Sequence, residues 1–220
     1  MKLPISQRLL SLCDYIAPGA RVADVGCDHG YLAIHLVQTG LASQVYASDI
    51  RPGPLDSARK NGEKYGVSEK IAYFLSDGVQ RIPRDFDTLV CAGMGADVMI
   101  SILEASPWLQ SEHYKLILQC QSKTPMLRKY LSETGWAIRR EQVLKDGRFL
   151  YTVLEAVWSP GAFLTPGECF LSPALRKGQD ILLPDYIRWV TDHLALSVHN
   201  QPNISQWEKD AYQELLEVSI

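Results

Sequence analysis

Residues 21–40 read RVADVGCDHGYLAIHLVQTG, and this stretch decides the fold. It begins with a short apolar run that ends in Gly26, which is typical of a buried β-strand. It continues with apolar residues at helical spacing and ends at Gly40. The glycines Gly26 and Gly30 would let the backbone turn sharply between the two parts. This stretch therefore predicts a strand, a tight turn and a helix.

The same alternation continues downstream. Apolar runs and glycine or proline breaks predict strands over 44–49, 70–75, 87–93 and 114–120, with helices over 53–65, 93–105 and 125–133. Residues 135–157 then hold two strand-like runs around Asp146-Gly147, which is a strong hairpin signal. Strands that alternate with helices form a parallel sheet with helices on both faces. We therefore predict a doubly wound α/β fold whose mostly parallel seven-stranded sheet ends in an antiparallel hairpin.

The two ends of the chain are predicted to be helical. Apolar residues recur at helical spacing near the N-terminus, so residues 1–23 indicate an amphipathic helix rather than a signal peptide. Two amphipathic segments over about 185–199 and 203–218 predict a helical hairpin that packs on, or projects from, the main domain. We place the domain boundary after residue 159, with a small helical extension over 160–220.

The composition excludes several classes of protein. The 220 residues carry 22 basic and 25 acidic side chains, a net charge of −3, so the chain is not a polycation that binds nucleic acid indiscriminately. The five cysteines form no C-x-x-C pair, and the histidines have no metal-ligand spacing, so we predict neither a metal site nor a disulfide framework. No apolar run is long enough for a membrane span. We expect a cytoplasmic protein, and the sequence does not indicate its oligomeric state.

Three acidic residues stand at the ends of predicted strands: Asp28, Asp49 and Asp77. Asp28 replaces the middle glycine of a phosphate-binding loop, and its carboxylate would repel a pyrophosphate but attract a cation. Asp49 is placed to accept hydrogen bonds from ribose hydroxyls, and Asp77 to accept one from an adenine amine. Together they favour S-adenosylmethionine, a nucleoside with a cationic sulfonium and an amino group. Taken singly, each residue is also compatible with a turn or helix cap that binds nothing.

The segment after the fourth predicted strand reads Cys91-Ala92-Gly93-Met94-Gly95-Ala96. It lacks the Asn/Asp-Pro-Pro-aromatic clamp that is usual in enzymes that methylate an exocyclic adenine amine. Its glycines would let a flat ring approach the backbone. This favours a ring nitrogen such as adenine N1, which already carries a lone pair and needs positioning more than deprotonation. Close packing of helix on strand explains the glycines equally well.

Basic residues concentrate in 123–148, where seven of them stand against three acidic residues, a net charge of +4. Such a run is more often a solvated face than a binding site. Here the predicted hairpin and the preceding helix flank the sheet edge that holds the acidic residues, so we expect contacts to RNA phosphates. The residues concerned are Lys123, Arg128, Lys129, Arg139, Arg140, Lys145 and Arg148.

The chain resembles the bacterial tRNA (adenine-22-N1)-methyltransferase family over about residues 5–157. The resemblance rests on Ile5-Ser6-Gln7-Arg8-Leu9, VADVGCDHGYLAIHLVQTG (22–40), SDGV (76–79), CAGMGADVMISILE (91–104), LILQ (116–119) and LRKYL (127–131). It implies a class I, Rossmann-like methyltransferase domain over 1–159, S-adenosylmethionine as methyl donor, and an extension that helps to hold tRNA.

The resemblance also implies roles for individual residues. Asp28, Met94 and Gly95 would act at the reacting atoms, and Arg8 would stand near the entrance for RNA. The donor would be bound by Asp24, Gly26, Asp28, Gly30, Asp49, Ile50, Asp77, Gly78, Ala92 and Gly93.

The sequence departs from the family pattern in three places. Gly30 and Ala33 replace the usual alanine and proline, and Ala96 replaces a glycine. After the fifth strand the usual Gln-Pro-Asn is Gln119-Cys120-Gln121, so any role of that asparagine passes to Gln121 or is lost.

We predict an S-adenosylmethionine-dependent enzyme that methylates N1 of an adenine in tRNA. The alternatives are a class I methyltransferase for a small molecule or a protein, and a non-catalytic RNA-binding relative. An NAD-dependent oxidoreductase is disfavoured by Asp28 and by the terminal hairpin.

Overall fold

The computed structural model describes residues 3–161, 163–178, 180–200 and 203–217. Its centre is one seven-stranded sheet with the strand order β3-β2-β1-β4-β5-β7-β6. The first five strands are parallel, and β7 pairs antiparallel with both β5 and β6. The predicted doubly wound sheet with a terminal antiparallel hairpin is confirmed. The strands are β1 (Ala20–Val25), β2 (Ala42–Asp49), β3 (Ile71–Leu75), β4 (Thr88–Gly95), β5 (Lys115–Ser122), β6 (Trp136–Asp146) and β7 (Phe149–Trp158).

Helices cover both faces of this sheet. One face packs against the N-terminal segment and two helices, and the other packs against two further helices, so each face has its own apolar core. Burial of both faces explains why β1 and β4 read as nearly continuous apolar runs. The helices are α1 (Gln7–Leu10), α2 (Tyr31–Gln38) and α3 (Pro52–Lys64) on one side, and α4 (Ala96–Glu104) and α5 (Thr124–Glu133) on the other.

Two local predictions were wrong. The N-terminal helix is only α1, followed by a 3₁₀ turn over Ser11–Tyr15. The tighter turn places Leu12 and Tyr15, three residues apart, together in the core. The alternation is also not strict, because residues 76–87 join β3 to β4 through turns without a helix. Val79, Ile82 and Phe86 of that link are buried and cover the sheet where a helix would lie.

The C-terminal extension packs on the main domain. It contains α6 (Pro166–Phe170), α7 (Pro173–Lys177), α8 (Leu183–Asn200) and α9 (Gln206–Glu217), so the two predicted amphipathic helices are present. Its core includes Leu175, Val190 and Ala211, and it also takes in Val143 from β6. The hairpin of the sheet therefore belongs to the packing of both parts, and the boundary after residue 159 stays a prediction.

Candidate methyl-donor and RNA site

A cavity of about 450 Å³ lies at the carboxyl edge of the sheet, between β1, β2 and β4. The order of the strands reverses at this place, since β2 lies on one side of β1 and β4 on the other. Open α/β sheets bind their ligands at such switch points. Nine of the ten residues predicted to bind the donor line the cavity: Asp24, Gly26, Asp28, Asp49, Ile50, Asp77, Gly78, Ala92 and Gly93.

Gly30 is the tenth, and it is not part of the cavity lining. It has φ +71° at the start of α2, and a Cβ there would lie 2.9 Å from Cβ of Ala58 in α3. Its role is to allow two helices to pack closely rather than to contact a ligand.

Asp24 is the most unusual group in the cavity wall. It is only 4% exposed, and its Oδ2 atom has no hydrogen-bond partner. Burial raises the pKa of Asp24 to about 7, with a smaller contribution from Asp49, while a backbone hydrogen bond from Ala33 opposes the shift. A buried carboxylate oxygen that lacks a partner costs free energy unless a ligand supplies one. It therefore fits a ligand with a cationic hydrogen-bond donor, such as the amino group of S-adenosylmethionine.

Asp49 is held in one orientation by the backbone around it. Its Oδ2 accepts a hydrogen bond from the amide of Asp28 at 3.3 Å, and its Oδ1 accepts one from the amide of Arg51 at 2.9 Å. The bond from Asp28 joins the loop after β1 to the end of β2, and the bond from Arg51 is local to the end of β2. A fixed, buried carboxylate with free lone pairs matches the predicted contact with ribose hydroxyls.

Asp28 and Asp77 lie nearer to solvent. Asp28 has φ +48°, a conformation that L-residues rarely adopt, and its side chain is 62% exposed, with Oδ2 3.7 Å from Nε2 of His29. Water screens a charge in that position. The electrostatic role predicted for Asp28 is therefore better supported for Asp24, which sequence reasoning had included only as one member of the pocket.

The end of β4, residues 93–95, approaches the loop of residues 26–30 between β1 and α2, which we call the first glycine loop. An added Cβ at Gly26 would lie 2.2 Å from the Cε methyl of Met94, so the glycine leaves the space that this methyl occupies. Met94 lines the cavity as predicted, whereas Gly95 is not part of the lining and precedes the first residue of α4. Gly93 has φ +80°, and its missing side chain leaves room for the Arg8 guanidinium.

Gln119 is a site residue that sequence reasoning missed. It is completely buried, and its Oε1 accepts hydrogen bonds from Nη1 of Arg8 at 2.5 Å and from the amide of Gly93 at 3.1 Å. Its Nε2 donates to the carbonyl of Cys120 at 3.1 Å. One amide side chain thus sets the positions of Arg8 and of the end of β4. The signal for it was a glutamine inside the apolar run YKLILQC, where a buried amide needs partners.

The predicted RNA-contacting residues do not form one surface. Arg128 is completely buried, so the prediction that it contacts RNA was wrong. Lys129 stacks on the ring of Trp207 in the extension, with Nζ 5.2 Å from the centroid. Arg139 and Arg140 lie in the part of β6 that is level with the first half of β5, away from the cavity. These two arginines lie away from the cavity because only the tip of the β6–β7 hairpin reaches the carboxyl edge of the sheet.

Four basic residues remain near the cavity. The hairpin tip carries Lys145 and Arg148, and it contacts Arg8, whose Nε lies 3.5 Å from Oδ2 of Asp146. Lys123, with φ +59°, precedes α5 and forms an ion pair with Asp97 of α4 at 2.7 Å.

Among the described residues, no group of three or more His, Cys, Asp or Glu side chains is placed to hold a metal ion. No helix in this part of the chain is long and apolar enough to cross a membrane.

Comparison with known proteins identifies the family. A family described as Methyltransferase domain matches residues 5–154. The chain is 34% identical over 156 residues to the tRNA (adenine(22)-N(1))-methyltransferase of Bacillus subtilis strain 168, a match that covers 70% of this chain and 66% of that enzyme. It is 32% identical over 163 residues to a putative tRNA methyltransferase of Mycoplasma pneumoniae, covering 71% of this chain and 73% of that protein.

The chain belongs to the bacterial tRNA (adenine-22-N1)-methyltransferase family. The resemblance inferred from the sequence is confirmed. The likeness extends to the whole chain in three dimensions. A crystal structure of Streptococcus pneumoniae Sp1610, a putative tRNA (m1A22) methyltransferase in complex with S-adenosyl-L-methionine, has a TM-score of 0.84 at 28% identity. It covers 97% of this chain and 98% of that chain, so the family fold includes the C-terminal extension.

Proposed function

We propose that this protein transfers the methyl group of S-adenosylmethionine to N1 of an adenine in tRNA. The observation that carries the proposal is the buried Asp24 carboxyl, whose Oδ2 atom has no partner, in a cavity at the strand-order reversal, in a chain of this family. The named relatives support tRNA as the substrate. The match to the Bacillus subtilis enzyme spans just under two thirds of its length, so the activity is our inference for this chain.

The cavity residues divide the work of binding the donor. Asp24 would receive the amino group, Asp49 the ribose hydroxyls, and Asp77 the adenine amine. Gly26 and Gly78 would contribute to the wall of the cavity, where their missing side chains make room for Met94 and Ile102. S-adenosylmethionine supplies an electrophilic methyl group on a sulfonium, and adenine N1 supplies an in-plane lone pair. No side chain of the chain needs to remove a proton from N1, and the site works by orientation and by charge.

The target base would be positioned by the end of β4. The Oε1 atom of Gln119 accepts hydrogen bonds from both Gly93 and Arg8, so the end of this strand and the arginine keep a constant spacing at the mouth of the cavity. The side chain of Met94 extends from the end of β4 to the first glycine loop. To reach this place, the adenine has to leave its stack or expose its Watson–Crick edge, which costs on the order of a few kcal/mol.

The test supplies purified protein with tritiated S-adenosylmethionine and bulk bacterial tRNA. Label in tRNA, mapped by mass spectrometry of a nuclease digest to 1-methyladenosine, is the expected result. Label in protein or small molecules but not in tRNA would support the alternative of another substrate class and overturn the proposal. Donor-independent tRNA binding without product at any enzyme concentration would identify a non-catalytic RNA-binding relative.

A further inference from the structure

A second cavity of about 520 Å³ adjoins the donor cavity and has no part in the proposed transfer. Its floor is β7 with Tyr151, one wall is the end of β5 and the start of α5, and the other wall is α8 of the extension. It therefore exists only because the extension packs against the methyltransferase domain.

The walls of this cavity are rich in exposed aromatic surface. Trp189 is 45% exposed, and its ring lies 4.6 Å from that of His193, centroid to centroid. Phe170 and Trp207 form a second ring pair at 5.2 Å. Large aromatic side chains are normally buried in a folded chain, and a cluster of them around an open cavity indicates a binding surface.

The second cavity shares one lining residue with the donor cavity. Gln121 belongs to the lining of both, so the two share a wall at the end of β5. Lys123 also lines the second cavity, and Glu208 stands in its lining with its carboxylate bonded to Ser205. A carboxylate in the lining disfavours a phosphate inside, whereas a neutral flat ring meets no such repulsion.

We propose that the second cavity binds the base of a nucleotide adjacent to the methylated adenine, by stacking on Trp189. The inference rests on the proposed function. An adenine that leaves its stack exposes a face of the neighbouring base, and aromatic side chains bind such faces with little dependence on sequence. The shared wall at Gln121 places this neighbour next to the donor cavity. The extension would thus contribute to RNA binding through aromatic surface, in accordance with its excess of acidic residues.

The first experiment compares Trp189→Ala with Leu196→Ala in the full-length protein. Leu196 lies on the same helix and is 61% exposed, but it does not line the cavity. Trp189→Ala should raise the KM for tRNA about tenfold, in line with the loss of one base–aromatic stack, while the Kd for S-adenosylhomocysteine and the Tm stay close to those of Leu196→Ala. Trp189→Phe, which keeps a ring, should recover most of the affinity.

The second experiment reads stacking directly. The tRNA carries 2-aminopurine on one side or the other of the adenine that the digest identifies, and its fluorescence is followed as protein is added. One of the two probes should change with the wild-type protein and with Leu196→Ala, and the change should be lost with Trp189→Ala.

The two failures are distinguishable. Wild-type protein that methylates no tRNA overturns the proposed function and with it this inference. Methyl transfer with an unchanged tRNA KM and an unchanged probe signal in Trp189→Ala overturns the inference alone. A Trp189→Ala defect without any RNA effect, such as loss of binding to a protein partner, overturns it as well.

Discussion

Arg128 and Glu141 form an ion pair that is sealed from solvent, with Nη2 of the arginine 2.7 Å from Oε1 of the glutamate and both side chains 0% exposed. The pair joins α5 to β6, and it also reaches the extension. Arg128 donates to the carbonyls of Cys169 and Phe170, and the hydroxyl of Ser172 donates to Glu141. The network therefore fastens the helical extension to the methyltransferase domain.

Removal of one member of this pair should lower the free energy of unfolding. Arg128→Met leaves Glu141 buried without a counter-charge, and we expect a loss of about 3–5 kcal/mol in the free energy of unfolding, measured with urea. Lys129→Met, at the neighbouring and partly exposed position, removes a cation–π contact with Trp207 and an i,i+4 ion pair with Glu133, and should cost at most about 1 kcal/mol. The double variant Arg128→Met/Glu141→Met should lose less than the sum of the single variants. Additive losses would show that the two side chains do not interact.

The contact of Met94 with Gly26 predicts a second result. Gly26→Ala places a Cβ 2.2 Å from the Met94 methyl at φ +72°, so the first glycine loop and the end of β4 must move apart. We expect the Kd for S-adenosylhomocysteine to rise at least about tenfold, measured by calorimetry, because both segments line the cavity. Gly40→Ala is the matched control, since Gly40 has φ +73° with nothing within 4 Å of the added Cβ. Equal affinity for S-adenosylhomocysteine in the two variants would contradict the prediction, because the contact with Met94 would then have no effect on donor binding.

The donor side of the site could be predicted from the sequence because it follows from the fold. The residues Asp28, Asp49 and Asp77 come near the ends of parallel strands, and such ends meet at one edge of a sheet. Strands and glycine turns are local sequence patterns, so these carboxylates can be placed at that edge without any knowledge of the packing. The sequence did not reveal that Asp24 is the acid buried with one unpaired oxygen, since that depends on the surrounding elements.

The RNA side could be predicted less well because it depends on the direction in which each basic side chain points and on its position along a strand. The basic run of 123–148 is continuous in sequence, but Arg128 faces inward on its helix, and the hairpin carries Arg139 and Lys145 to opposite ends of a strand. The net charge of a sequence segment indicates neither whether a side chain is buried nor at which end of a strand it lies. Gln119 was missed for a similar reason, since its function lies in two partners, Arg8 and Gly93, that are distant in sequence.

Asp24 predicts a pH dependence of donor binding. Burial raises its pKa to about 7, so the free protein carries a neutral Asp24 below that pH and an ionised one above it. An amino group of the ligand prefers the ionised form, so the affinity for S-adenosylhomocysteine should rise several-fold from about pH 6 to about pH 7.5. Calorimetry in buffers across this range measures it.

The variant Asp24→Asn separates this effect from other titrations. Its affinity should be lower and nearly independent of pH over the same range. Because the folded state raises the pKa of this acid, ionisation of Asp24 makes the ligand-free fold less stable as pH rises towards 7. The Tm of Asp24→Asn should therefore equal or exceed that of the wild type at neutral pH. A pH dependence that persists unchanged in Asp24→Asn would assign it to another group.

The position of the hairpin tip predicts which charges act on RNA. Lys145 and Arg148 are exposed at the tip, which contacts Arg8 through Asp146. Arg139 is also exposed, but it lies level with the first half of β5 and donates to Ser159. Each phosphate contact contributes about one unit to the slope of log affinity against log salt concentration, so Lys145→Ala/Arg148→Ala should reduce the slope for tRNA by about 2. Arg139→Ala should leave it unchanged, and neither variant should alter the affinity for S-adenosylhomocysteine. Filter binding over a series of salt concentrations decides between them: if Arg139→Ala lowers the slope and the tip variant does not, the RNA crosses the opposite end of the sheet and cannot present its adenine to the cavity.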